Sequence, residues 1–127
     1  MRKIRIAIIG LSHIHFTTLS RDFDKYRDQI EWVGMADVPP YTEEERATKI
    51  RMNVPEDVDV KLWEDYRELL AQDIDVAILC TDVKDHADIA SETLARGIHT
   101  VVEKPMAIDM ADAKRDQIPK GRLQVLQ

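Results

Sequence analysis

Apolar and polar positions along the chain alternate between two rhythms. Ile4-Arg5-Ile6-Ala7-Ile8-Ile9 is a near-continuous β-branched run ending at Gly10, the pattern of a parallel strand buried on both faces. From His13 to about Arg27, Ile14, Leu19, Phe23 and Tyr26 mark a loosely amphipathic helix. A second strand, Ile30 to Ala36, ends at Asp37, and Pro39-Pro40 then breaks the chain. Thr42 precedes Glu43-Glu44-Glu45, acids placed where a helix dipole favours them, and the helix they open closes at Asn53-Val54-Pro55.

Val60 to Trp63 reads as a short strand, followed by a helix carrying Tyr66, Leu69 and Leu70. Asp75 to Cys80 is a fourth strand and ends at Thr81-Asp82. A helix from about Asp85 to Arg96 stops at Gly97, where a C-terminal glycine cap belongs. Ile98 to Val102 is the fifth strand, and Asp109 can cap a short helix through Lys114 or Arg115. After the turn Ile118-Pro119-Lys120-Gly121, segment 122–127 reads either as a sixth, edge strand or as a frayed end. This alternation predicts an α/β fold: one domain over 1–127, a doubly wound parallel sheet of five or six strands with helices on both faces.

Composition narrows the function classes. With 44% hydrophobic and 33% charged residues the chain can bury a core, and no apolar run approaches the roughly 20 residues of a membrane span. Net charge is −6 with no basic stripe, which argues against nucleic-acid binding. Met1-Arg2-Lys3 leads into a strand pattern rather than a signal peptide, so a cytoplasmic setting is expected. The single cysteine, Cys80, lies in an apolar run and is expected to be a buried, inert thiol.

The chemistry gathers at the carboxyl ends of the strands, where open α/β sheets bind ligands. The first strand-to-helix loop, Gly10-Leu11-Ser12-His13-Ile14-His15, keeps one glycine of the dinucleotide fingerprint, with Ser12 and His15 in the other two places. Gly10 can make the tight turn. Ser12 is small enough for backbone approach to a pyrophosphate, whereas His15 is bulky where helix and strand pass closely. Gly10, Leu11, Ser12 and His13 are the expected cofactor contacts of this loop. His13 and His15, spaced i, i+2, share no helical face and have no nearby ligand set, so no metal site is expected. Asp37 ends the second strand 27 positions after Gly10, about where a carboxylate accepts hydrogen bonds from the adenine ribose. No arginine follows at once, which favours NAD over NADP. After the fifth strand comes Glu103-Lys104-Pro105; the proline biases Lys104 toward extended geometry and aims its ammonium at the crevice.

With Gly10, Asp37, Thr81, His86 and Glu103-Lys104-Pro105 in this order, nearly the whole chain resembles the N-terminal, Rossmann-like NAD(P)-binding domain of the Gfo/Idh/MocA oxidoreductases. The resemblance implies that Lys104 lies beside the nicotinamide and manages the proton of the hydroxyl being oxidised. It implies that Glu103 sits near the nicotinamide ribose and that Thr81 and His86 line the nicotinamide side of the cleft. Asp82 and Val83 stand where the family usually has proline and asparagine. Family members carry a second, substrate-binding domain, and this sequence ends 22 residues after Pro105. The expectation is therefore the cofactor half of an NAD-dependent dehydrogenase of a sugar, polyol or related secondary alcohol. That half alone would turn over little and would self-associate through the face the second domain covers. The alternative is a non-catalytic module that senses a nucleotide or binds a protein partner.

Overall fold

The computed structural model describes residues 2–11, 25–38, 42–53, 56, 61–103 and 123–126, with backbone alone for 53, 83, 103 and 123–126. In chain order its elements are β1 (Ile4–Ile9), β2 (Ile30–Ala36), α1 (Glu43–Asn53), β3 (Leu62–Trp63), α2 (Tyr66–Leu70), β4 (Val76–Leu79), α3 (Val83–Ala95), β5 (His99–Glu103) and β6 (Leu123–Leu126). The strands form one sheet in the order β3-β2-β1-β4-β5-β6, and every neighbouring pair is parallel. Segment 123–126 is thus an edge strand. The winding direction reverses between β1 and β4, which opens a crevice at their carboxyl ends. The predicted helix beginning at His13 and the one beginning at Asp109 lie outside the described residues, apart from the end of the first. That end is corrected: Lys25 to Gln29 form a turn, in which the Tyr26 carbonyl accepts the N–H groups of Gln29 and Ile30. The Tyr26 side chain is half exposed rather than part of an apolar face.

Side chains alternate across the sheet and build two apolar layers. On one face Ala7, Ile9, Ala36, Leu79 and Val102 pack under Leu69 of α2 and Ile89 and Ala90 of α3. On the other, Ile6, Ile8, Met35, Ile78 and Cys80 are covered in part by Ile50 of α1. A bulge interrupts the β1–β2 register: Ile6 pairs with Trp32 but Ala7 with Gly34, leaving Val33 as the extra residue. That one-residue shift turns Met35 and Ala36 to their respective layers.

The helix ends follow local chemistry. Thr42 and Glu45 form a reciprocal capping box at the start of α1, with Oγ1 accepting the Glu45 N–H at 3.1 Å and Oε2 the Thr42 N–H at 2.7 Å. At the end of α3, Gly97 takes φ +80°, its N–H bonds the Leu94 carbonyl and the Ile98 N–H bonds that of Thr93. This is the paired closure that a left-handed glycine allows. The Tyr66 hydroxyl donates to Glu92 at 2.9 Å, tying α2 to α3; burial and that carboxylate push the phenol up to about 12.

At the pole away from the crevice, Asp75 joins the start of β4 to β1. Its carboxylate accepts the Arg5 N–H at 2.8 Å and a guanidinium N–H of Arg2. Burial alone would raise its pKa, but these two donors outweigh it and hold the carboxyl below the ordinary range. A depressed pKa adds stability that is full above the unfolded value, about 3.9, and is lost as pH falls through the folded one. Asp75→Asn should cost on the order of 1 kcal/mol at pH 7, and the gap to the wild type should narrow as pH falls below about 4. Urea unfolding at pH 7 and pH 3 measures this; an undiminished gap at pH 3 contradicts it.

Candidate cofactor site

The crevice is built where β1 and β4 end side by side. Gly10 leaves β1 with φ +97°, its N–H donating to the Ala36 carbonyl at 2.7 Å. The Cys80 N–H in turn donates to the Ile9 carbonyl at 2.8 Å, so the two strand ends are stitched together immediately below the turn. A Cβ on Gly10 would stand 2.6 Å from the Cys80 carbonyl carbon and from the nitrogen and Cγ2 of Thr81. Main chain thus approaches main chain here, which only glycine permits. This is the tight turn expected of the surviving fingerprint glycine.

Asp37 follows β2 and is buried to 6% exposure. Its Oδ1 accepts the N–H of Leu11 at 3.3 Å and that of Val38 at 3.0 Å, so the carboxylate braces the loop after β1. Its Oδ2 is buried and, among the described residues, accepts no hydrogen bond; Lys49 Nζ stands 3.7 Å from it. Leaving such an oxygen dry and unbonded is costly unless a ligand or water completes it. Thr81 repeats the pattern, since its Oγ1 is also buried with no hydrogen-bond partner among the described residues.

His86 lies in the first turn of α3. It is buried to 1% exposure, and Nε2 lies 3.0 Å from the Thr81 carbonyl. A carbonyl only accepts, so Nε2 carries the proton and the imidazole holds the β4–α3 turn in place. Cys80 is fully buried, as its apolar run implies. Glu103 ends β5 one register step beyond the Leu79–Val102 pair, at the same carboxyl edge of the sheet. Ser12, His13 and Lys104 lie outside the described residues. Gly10, Leu11, Asp37, Thr81 and the backbone of Glu103 are thus brought to one edge of the sheet.

Sequence reasoning missed Lys49. The signal was present: Arg46, Lys49 and Ile50 share one side of α1 by i, i+3 and i+4 spacing, and Ile50 packs on the sheet. Arg46 anchors that side to β3, donating to the Trp63 carbonyl at 3.0 Å.

A glycine turn at the switch point, a carboxylate closing β2 and buried unbonded oxygens beside both define a Rossmann-type dinucleotide-binding domain. Residues 4–117 match the family described as oxidoreductase family, NAD-binding Rossmann fold, and the chain belongs to this Gfo/Idh/MocA family. The WlbA dehydrogenase of Bordetella pertussis, solved with NADH and UDP-GlcNAcA, superposes with a TM-score of 0.74 at 27% identity, covering 98% of this chain and 37% of that one. Among curated proteins, a glycosyl hydrolase family 109 protein of Shewanella baltica is 46% identical over 48 residues, 37% of this chain and 10% of its own length. Mouse biliverdin reductase A is 41% identical over 46 residues, 36% of this chain and 16% of its own. The chain therefore spans little more than a third of the solved relative and is an NAD-binding oxidoreductase domain. No helix among the described residues is long and apolar enough to cross a membrane.

Proposed function

We propose that this chain is the cofactor half of a dehydrogenase that oxidises a secondary alcohol of a sugar, a polyol or a related compound. The observation that carries the reading is the crevice itself, where Gly10 admits close main-chain approach while Asp37 Oδ2 and Thr81 Oγ1 lie buried without hydrogen bonds. The residues present fit NAD: Gly10 and Leu11 on the pyrophosphate side, joined by Ser12 and His13 from the same loop, and Asp37 on the adenine ribose. Thr81 and Glu103 would hold the nicotinamide half, with His86 fixing the Thr81 carbonyl. When bound, NAD supplies the hydride acceptor.

Lys104 follows Glu103 directly. Its amine would hydrogen-bond the substrate hydroxyl and take the proton released as the carbon is oxidised. The sugar class is supported by the nucleotide sugar held by the WlbA relative. A full turnover also needs a surface that presses the alcohol against the cofactor, since a lysine alone cannot position a substrate.

Calorimetric titration of the chain with NAD tests the reading. Saturable binding with Kd between about 1 μM and 1 mM is expected. Lys104→Ala should keep that Kd within about threefold, because the lysine acts on the substrate proton rather than on cofactor affinity. Absence of any heat or NADH fluorescence change at millimolar cofactor would sink the proposal.

A further inference from the structure

The two oxygens of Asp37 have different neighbours. Oδ1 is occupied by the backbone N–H groups of Leu11 and Val38. Oδ2 is the oxygen left for a ribose hydroxyl, and it is also the one 3.7 Å from Lys49 Nζ. Acceptor and cation therefore meet at the point where the 2′ position of an adenine ribose would dock. A hydroxyl oxygen about 2.8 Å from Oδ2 lies within about 6.5 Å of that ammonium, a gap the four-carbon lysine stem can close by rotation.

We propose that Lys49 sets the balance between NAD and NADP, making the site accept a 2′-phosphate as well as a 2′-hydroxyl. This inference rests on the cofactor reading above. An aspartate alone repels a 2′-phosphate by like charge, and the residues directly after Asp37 supply no cation. Lys49 supplies one from α1, twelve positions further on. With NAD bound, its ammonium neutralises Asp37; with NADP bound, the same ammonium is shared with the phosphate.

Titrating the chain with NAD and with NADP, by calorimetry at low ionic strength, tests this directly. The wild type should bind NADP within about tenfold of NAD, and added salt should weaken NADP more. Lys49→Met should weaken NADP at least about tenfold and NAD less than about threefold, and Lys49→Arg should restore NADP. Melting curves without nucleotide establish that each variant is folded. NAD binding with NADP more than about tenfold weaker in the wild type overturns the role of Lys49 but leaves the cofactor reading standing. Equal losses for both nucleotides in Lys49→Met likewise overturn it, since they reveal a structural part only. Binding of neither nucleotide brings down both proposals.

Discussion

Gly10→Ala is expected to lower stability by about 3–5 kcal/mol and to abolish measurable NAD binding. Two costs combine at this position. A φ of +97° is a conformation that L side chains rarely adopt, and the added methyl would stand 2.6 Å from main-chain atoms of Cys80 and Thr81. Neither neighbour can move cheaply, because the Cys80 N–H is bonded to the Ile9 carbonyl and the Thr81 carbonyl is held by His86. A small domain has only about 5–15 kcal/mol in reserve, so the variant should remain folded in the cold but melt well below the wild type. Thermal unfolding by circular dichroism and NAD titration at 10 °C give the two readouts. Affinity within about threefold of the wild type would show that the turn is not the cofactor's cradle.

Gly34→Ala should be the second most damaging single methyl, at about 2–3 kcal/mol, and for a different reason. Its backbone φ is ordinary, but a Cβ there would collide with the Trp63 indole and stand 2.9 Å from the Lys61 carbonyl. That carbonyl accepts the Met35 N–H at 2.9 Å, and the Lys61 ammonium lies 4.1 Å from the centre of the indole ring. The carbonyl is therefore fixed by β2, and the indole is held by the ammonium over its face. Trp63→Leu should relieve the collision, so a double-mutant cycle should show coupling of about 1 kcal/mol or more. Additive losses in urea unfolding would contradict the contact.

These two glycines show how unevenly the structure could be read from the sequence. The β-branched run Ile4 to Ile9 and the glycine stop at Gly97 each point to a local rule that the structure obeys. Gly10 was legible because a strand-to-helix turn at the switch point has a known need for it. Gly34 carried its signal, a glycine inside a strand, but its meaning depends on Trp63, which reaches it only once β3 has paired with β2. The burial of His86 was not legible for a related reason. Helical position places it in the first turn of α3, while its burial depends on the Thr81 carbonyl it bonds. Lys49 was not legible because the residues adjoining Asp37 in sequence hold no cation, whereas α1 folds a later one back to its carboxylate.

The main-chain seam between Gly10 and the Cys80–Thr81 junction has a consequence for how this domain can diverge. The approach at position 10 is limited by the main chain of Cys80 and Thr81 and by the Thr81 methyl, which leave no room for a Cβ. Drift away from this seam and its supports, Asp37 and His86, can then leave the approach unchanged, provided position 10 stays without a Cβ. A relative can keep a TM-score of 0.74 while sharing 27% of its residues, and overall identity becomes a poor gauge of whether a member still holds its nucleotide. Whether position 10 can stay without a Cβ is the more direct structural gauge of this turn.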